Sequence, residues 1–465
     1  MRLRLDRRGQ YPCRGRAVGK AANDRGVGGR DLGAVTPAVG RVGFHASCGR
    51  RGRASAQTAA TIGRCSMRRV VGIAIVAAIL HGTANAQEVK VGVNLPYTGI
   101  GAEIAQQMDR GMELYLKLNA DKVKPYAIKL IKRDVKNPGG ADARIAVQEL
   151  LVQDNVDIVA GWLYSPNAIA TAPMVTAGKK LAVIMNAGTA HITNLSPHYV
   201  RVSFSMWHAA HALGEAAVKT LGAKTAAIGY SDFPPGKDSR DAFKRAFEAS
   251  GGKVVDDIPM GSGAAVPDFT PFFQRVKDKK PDVFFVFIPS GDHAAAVART
   301  YGALGMRQAG IKLIGPGDVT VDNKLQGMGA AAVGIITMHH YNADLDNPEN
   351  KRFVAAWKRE YGADATPDFT SVGGYDGMAA IVHVVQTLKG RISTDKALAA
   401  LKGWTFESPR GPITIDPVTR DIVMNEYLSE VVMGDDGRLR QKQIGKIERV
   451  KDPCKEHRIG PCAPK

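Results

Sequence analysis

From residue 89 onward, short apolar runs alternate with amphipathic stretches, and the whole pattern runs through twice. "VKVGVNL" (89–95) reads as a buried strand, and residues 103–119 carry Ile104, Met108, Met112, Tyr115 and Leu118 at helical spacing. "YAIKLIKRD" (126–134) alternates like a strand, 142–154 sets Ala146/Val147 and Leu150/Leu151 on one helical face, and "VDIVAG" (156–161) is a further strand. "SPNAIATAPMVTAGK" opens a helix with Ser165 at the N-cap and Pro166 at N1; Pro173 within it predicts a kink. "KLAVIMN" (180–186) closes the first run as a strand. The second run starts at "KTAAIGYSD" (224–232) and continues through a helix at 237–250, a strand at "GGKVVDDIPM", a helix at "TPFFQRVKDKK", a strand at "PDVFFVFI" (281–288), a helix at 291–304 and a strand at "IKLIGPG". Strand–helix repeats require parallel pairing with helices on both faces, so two runs predict two α/β lobes with parallel sheets. After "GIITMHHY" (334–341) come helical segments at 348–361, 367–389 and 394–402, and then "RGPITIDPVTRDIVM" reads as strand, Pro turn and strand.

The first 86 residues do not fit this pattern. Residues 1–66 hold 14 Lys and Arg against three acids, with dense Gly and Ala and no period, so nothing there can form a packed core. "MRRVVGIAIVAAILHGTANAQ" (Met67–Gln87) has paired arginines, eleven uncharged residues and an Ala84-Asn85-Ala86 cleavage pattern, the order of a secretion signal. Eleven residues fall short of the roughly 20 needed to span a bilayer, and Gln87 rather than Cys follows the expected cut. The expectation is that translation starts at Met67, that 67–86 is a signal peptide removed between Ala86 and Gln87, and that the protein works in the periplasm. Setting residues 1–86 aside leaves 379 of the 465. The net charge of +19 falls to +6 once the +11 of residues 1–66 and the two arginines at 68 and 69 are removed. So small an excess removes the case for a nucleic-acid partner. Cys13, Cys48 and Cys65 fall in the discarded part; Cys454 and Cys462 remain in "DPCKEHRIGPC". Two cysteines in an exported chain read as a disulfide, a terminal clip contributing about 2–3 kcal/mol.

Several of these segments, in their order and spacing, carry a family likeness. "VKVGVNLPYTG", "QQMDRGMELYL", "VDIVAGWLYSPNAIATAP", "VIMNAGTAHIT", "DFTPFFQRVKDKKPDVFF" and "SPRGPITIDPVTRDIVM" together resemble the periplasmic solute-binding proteins of ABC transporters, in the branched-chain amino acid group, across about 88–445. The resemblance implies the type I periplasmic binding fold: two Rossmann-like lobes with parallel sheets joined by three crossovers, near 204–208, 338–342 and 408–413. One lobe would then hold 88–205 plus 340–410 and the other 206–338 plus 413–447, with 448–465 a tail. It also implies a monomer that captures a small carboxylate by lobe closure and delivers it to a permease.

Ligands of open α/β sheets sit at the carboxyl ends of strands. The loop Gly161–Ser165 joins a strand to a helix start, where the positive end of the helix dipole suits a carboxylate. By resemblance Ser165 grips that carboxylate, Tyr164 forms a wall and Asn167 assists. The loop Asn186-Ala187-Gly188-Thr189 is expected to hold the ligand through its backbone and the Thr189 hydroxyl. From the second lobe the resemblance brings Phe233, Ser290 and the "GPGD" loop. Amino acid binders commonly place a carboxylate directly after Gly-Pro to pair with the ligand ammonium. Here that position is Gly317, with Asp318 one residue later. A buried charge needs a partner, so if Asp318 does not reach the amine the ligand is a carboxylate without one, such as an aromatic or phenylpropanoid acid; a branched-chain or other amino acid stays open beside it.

Nothing in the chain spells catalysis: G-x-S-x-G, a P-loop and a strand-linked G-x-G-x-x-G are absent, and no cofactor is expected. His208, His211 and Glu215 share a helical face, as metal ligands do, but read better as polar residues of a hinge helix, and His339-His340 reads as a hinge element. His457 beside the two tail cysteines cannot complete a metal set. An exported α/β enzyme and a sensory module are the competing classes, since the fold alone excludes neither.

Overall fold

The computed structural model describes residues 87–261 and 268–464. The basic segment and the signal sequence lie outside the described residues. The first run folds into a sheet of β1 (Gln87–Leu95), β2 (Tyr126–Asp134), β3 (Ile158–Gly161), β4 (Leu181–Ile184) and β5 (Tyr199–Arg201), in the order β2-β1-β3-β4-β5. All its pairings are parallel. Both faces are covered, which is why the strands read as unbroken apolar runs. Ile158, Ala160, Leu181 and Val183 point into one buried cluster, and Val159, Ala182 and Ile184 point into another on the opposite face.

The second run supplies β6 (Thr225–Tyr230), β7 (Lys253–Pro259), β8 (Val283–Phe287), β9 (Lys312–Pro316) and β10 (Ile336–His339). Late in the chain β11 (Thr405–Ser408), β12 (Gly411–Ile415), β13 (Ile422–Met433) and β14 (Leu439–Val450) join the same sheet. The order is β11-β12-β13-β10-β9-β8-β6-β7, with β14 also paired to β13. The expected parallel pairing holds for the strands of the second run, and the late strands add antiparallel pairings beside them. β6 to β10 pair in parallel, whereas β13 runs antiparallel to β10, β12 and β14. The cause is connectivity: the chain re-enters this sheet through hairpins, which join only antiparallel neighbours. The helix Ser165–Gly178 passes through Pro173 as one continuous element.

The chain passes between the two sheets three times. After β5 the helix Met206–Lys219 packs on β9 and β10. After β10 the chain returns, and the helix Phe369–Thr387 packs along Ala102–Leu118 beside the first sheet. That contact is backbone-close: a Cβ on Gly111 would lie 2.0 Å from the Ser371 carbonyl oxygen, and one on Gly374 would lie 2.1 Å from that of Met108. The third passage leads through the β11–β12 hairpin into β13. Arg410, in that hairpin, ties the third passage to the first and to the helix Phe369–Thr387. Its fully buried guanidinium donates from Nε to Asp376 Oδ2 at 2.8 Å and from Nη1 to the Ser203 carbonyl at 2.8 Å, with a further bond to the Val202 carbonyl.

The tail is tied down as well. Cys454 and Cys462 form a disulfide with a Cα–Cα distance of 5.5 Å. Lys455, between them, is buried and reaches Asp421 Oδ2 at 2.5 Å and the Thr193 hydroxyl. Asp421 also receives Arg201 through Nε at 2.7 Å, so the tail, the end of β5 and the start of β13 share one carboxylate.

Candidate functional site

The carboxyl ends of the two sheets face each other across a cleft, and two adjoining cavities of about 70 and 180 Å³ lie in it. Ile104, Tyr164, Phe233, Pro289 and Ser290 line both. The smaller cavity is walled largely by apolar groups from both sides, including Phe204, Phe233, Phe287 and Phe369. Its polar groups are few: Tyr164, Ser165 and Asn186 from the first sheet's loops, Thr370 from a helix start, and Ser290 and Asp318 from the second sheet's loops.

Ser165 is not the N-cap. The helix starts on it, Tyr164 is the capping residue, and Ser165 is 1% exposed. This turns its hydroxyl toward the neighbouring strand-end loop, where Oγ accepts from the Thr189 N–H at 3.1 Å. The hydroxyl proton is therefore left to donate elsewhere. Burial pushes the Tyr164 phenol up to about 12, so it stays protonated at the rim. Gly188 lines the cavity beside Phe204 and Met206. Phe233 caps the helix Pro234–Ala249 and stands over Phe287, ring centroids 6.0 Å apart.

Three expected residues do not reach the cavity wall. Asn167 is spent on an adjacent loop: Oδ1 accepts from the Gly140 N–H at 3.0 Å and Nδ2 donates to the Asn137 carbonyl at 3.1 Å. Ala187 points into the core behind the sheet, and its carbonyl accepts from Arg201 Nη1 at 3.2 Å. Thr189 contributes its N–H to Ser165, and its buried Oγ1 has no hydrogen-bond partner among the described residues.

Asp318 stands where the second sheet meets the cavity. Ser290 donates to its Oδ1 at 3.1 Å, while Oδ2 is buried without a partner. Burial pushes the carboxyl up to about 7, against the Ser290 hydroxyl and its own backbone N–H, which pull it down. The preceding position has no room for a side chain: a Cβ on Gly317 would lie 2.4 Å from the His339 ring. His339 and His340 end β10 behind the cavity wall, against Phe204 and Phe369. Burial, with Arg410 nearby, holds His339 down at about 3, so it is neutral. His208 and His211 do not converge on a metal. His208 Nδ1 accepts from the Ser205 N–H at 3.0 Å, and its Nε2 faces the Ile422 carbonyl at 3.2 Å; His211 lies 3.7 Å from Glu215.

Sequence reasoning missed Ile104, Phe204, Met206, Phe287, Phe369 and Thr370, and reached Asn186 only as part of its loop. Phe287 ends a recognised strand, so the strand-end rule could have found it. Phe204 and Phe369 carry no such signal.

Two further contacts cross the cleft. The Ala190 N–H donates to Asp238 Oδ2 at 2.8 Å, and Lys324 pairs with Glu103 at 2.5 Å near the mouth.

Residues 88–438 match the family model of the periplasmic binding proteins. The chain belongs to that family. It is similar to the Leu/Ile/Val-binding protein homolog 6 of Brucella melitensis, 37% identical over 80% of this chain and 94% of the relative. Among solved structures it is similar to an ABC-transporter solute-binding protein of Rhodopseudomonas palustris BisB5 in complex with 3,4-dihydroxybenzoic acid. That likeness is 41% identical with a TM-score of 0.75, covering 79% of this chain and 99% of that one. A solute-binding protein of R. palustris HaA2 in complex with p-hydroxybenzoic acid is 36% identical at the same TM-score, covering 79% and 98%.

Proposed function

We propose that this protein is the periplasmic solute receptor of an ABC transporter, that it binds without transforming its ligand, and that the ligand is a small aromatic carboxylate. The observation that carries the ligand class is the pairing of Gly317 with His339. A carboxylate side chain directly after Gly-Pro would overlap the imidazole, so the usual counter-ion for an α-ammonium has no place there. The four phenylalanines around the cavity suit a ring. The relatives solved with hydroxylated benzoic acids agree with this reading.

In this reading the N-terminal end of the helix Ser165–Gly178 and the Ser165 hydroxyl seat the ligand carboxylate in the open state. The second lobe then swings over it about the three passages, two of which Arg410 joins, and the closed form docks on a permease. Export relies on the Met67–Gln87 signal. A thermal-shift series with benzoate, 4-hydroxybenzoate and leucine tests the ligand class, because a ligand stabilises the folded state according to its saturation. Aromatic acids should raise the melting temperature and leucine should not; stabilisation by leucine alone would overturn the reading.

A further inference from the structure

We propose that Asp318, backed by Ser290, recognises a hydroxyl group on the ligand's ring, on the side away from its carboxylate. This rests on the aromatic-acid reading and sharpens it, since it makes the site select hydroxylated acids over the bare ring.

Asp318 is 7% exposed and lines the smaller cavity. Its two oxygens are treated differently: Oδ1 takes the Ser290 proton at 3.1 Å, and Oδ2 has no partner among the described residues. A buried acceptor left unmade is costly, and this one belongs to a residue that lines the cavity, so a donor entering the cavity can fill it with a small turn of the carboxylate. No Lys, Arg or His stands among the described residues of that wall, so the entering group must supply the donor. Position decides which donor. Asp318 follows β9 in the second sheet, while the carboxylate seat at Ser165 follows β3 in the first. An α-ammonium would lie one carbon from the carboxylate, on the Ser165 side. A ring hydroxyl opposite the carboxyl lies across the ring, on the Asp318 side, with the phenylalanines against the ring between them. A phenol O–H donates well to a carboxylate, and the Ser290 hydroxyl keeps the acceptor oriented by occupying its other oxygen.

Calorimetry on the full mature chain tests this with benzoate, 4-hydroxybenzoate and leucine on wild type, Asp318→Ala, Asp318→Asn and Ser290→Ala. Wild type should bind 4-hydroxybenzoate about ten- to a hundred-fold more tightly than benzoate, the span of one hydrogen bond to a charged group. Asp318→Ala should erase that preference while benzoate affinity stays within about threefold, as expected for a contact benzoate never makes. Ser290→Ala should narrow the preference. Should the alanine variant fold poorly, Asp318→Asn, which removes the charge but keeps the shape, should reduce the preference in the same direction. Wild type that binds both acids equally would overturn the Asp318 assignment alone. Equal loss of both acids in Asp318→Ala and Asp318→Asn would do the same. Wild type that binds leucine and neither acid would overturn the underlying ligand class as well.

Discussion

Two buried aspartates, Asp421 and Asp318, are almost equally hidden from water and are used in opposite ways. Asp421 Oδ1 accepts from Arg201 Nε and from the Ile422 N–H, and Oδ2 from Arg201 Nη2 and Lys455 Nζ. Arg201 and Lys455 hold its carboxyl well below the ordinary range despite full burial. Asp318 has one hydroxyl donor and a bare oxygen, and burial lifts it to about 7. The first arrangement joins chain segments far apart in sequence; the second is incomplete. Burial alone therefore does not mark a binding residue, whereas burial with an unfilled acceptor at a cavity wall does.

That contrast breaks most sharply on stability. Asp421→Ala strands Arg201 and Lys455 in the interior and should cost about 3–5 kcal/mol in urea unfolding. Asp318→Ala removes an incompletely satisfied carboxylate and should leave the unliganded protein as stable as wild type or more so. A loss at Asp318 as large as that at Asp421 would erase the distinction. The disulfide belongs to the Asp421 side, because the residues it brackets include Lys455. Cys462→Ser should cost about 2–3 kcal/mol from loop closure, and ligand affinity measured by calorimetry should hold, since the tail lines neither cleft cavity.

A smaller effect sharpens the cleft side. Ser165→Ala removes one donor to the proposed carboxylate and the acceptor for the Thr189 N–H. Affinity for benzoate and 4-hydroxybenzoate should fall together by about tenfold, leaving their ratio unchanged. A change in the ratio would mean that Ser165 and Asp318 do not contact opposite ends of the ligand.

The sequence made the two-lobed fold readable because parallel strands buried on both faces are unbroken apolar runs, as in "VDIVAG" and "PDVFFVFI". It hid β14, whose "LRQKQIGKIERV" is largely exposed and polar beside β13, as a charged edge strand is. The strand-end rule led to the loops of Ser165 and Gly188, and the family resemblance to Phe233, Ser290 and Asp318; all five lie on the cavity wall. It misled at Asn167, two residues past Ser165 on one helix, where side chains do not share a face. Phe204 and Phe369 were illegible because their positions depend on how the passages and the Gly111–Gly374 contact set distant segments together. The displaced acid was legible at once. Its reason, the His339 ring over Gly317, needed the three-dimensional structure.

A pH-dependent effect tests whether a carboxylate that bridges the cleft behaves like Asp421 or like Asp318. Asp238 accepts from the Ala190 N–H across the cleft, yet burial lifts its carboxyl to about 7, aided by Asp452 and opposed by the Ala190 N–H and by the nearby Trp207 and Arg201. The folded pKa lies above the ordinary 3.8, so the folded protein binds more protons than the unfolded chain between about pH 4 and 7. The stability this group contributes is present below pH 4 and is lost as pH rises through 7. Melting temperatures of wild type and Asp238→Asn should therefore diverge between about pH 4 and 7, with wild type falling more steeply, because the amide has no proton to lose. Parallel curves would mean that Asp238 enters the folded state already ionised. The Ala190 contact would then be a satisfied anchor of the Asp421 kind, and the cleft would be bridged by a charge at every pH the periplasm presents.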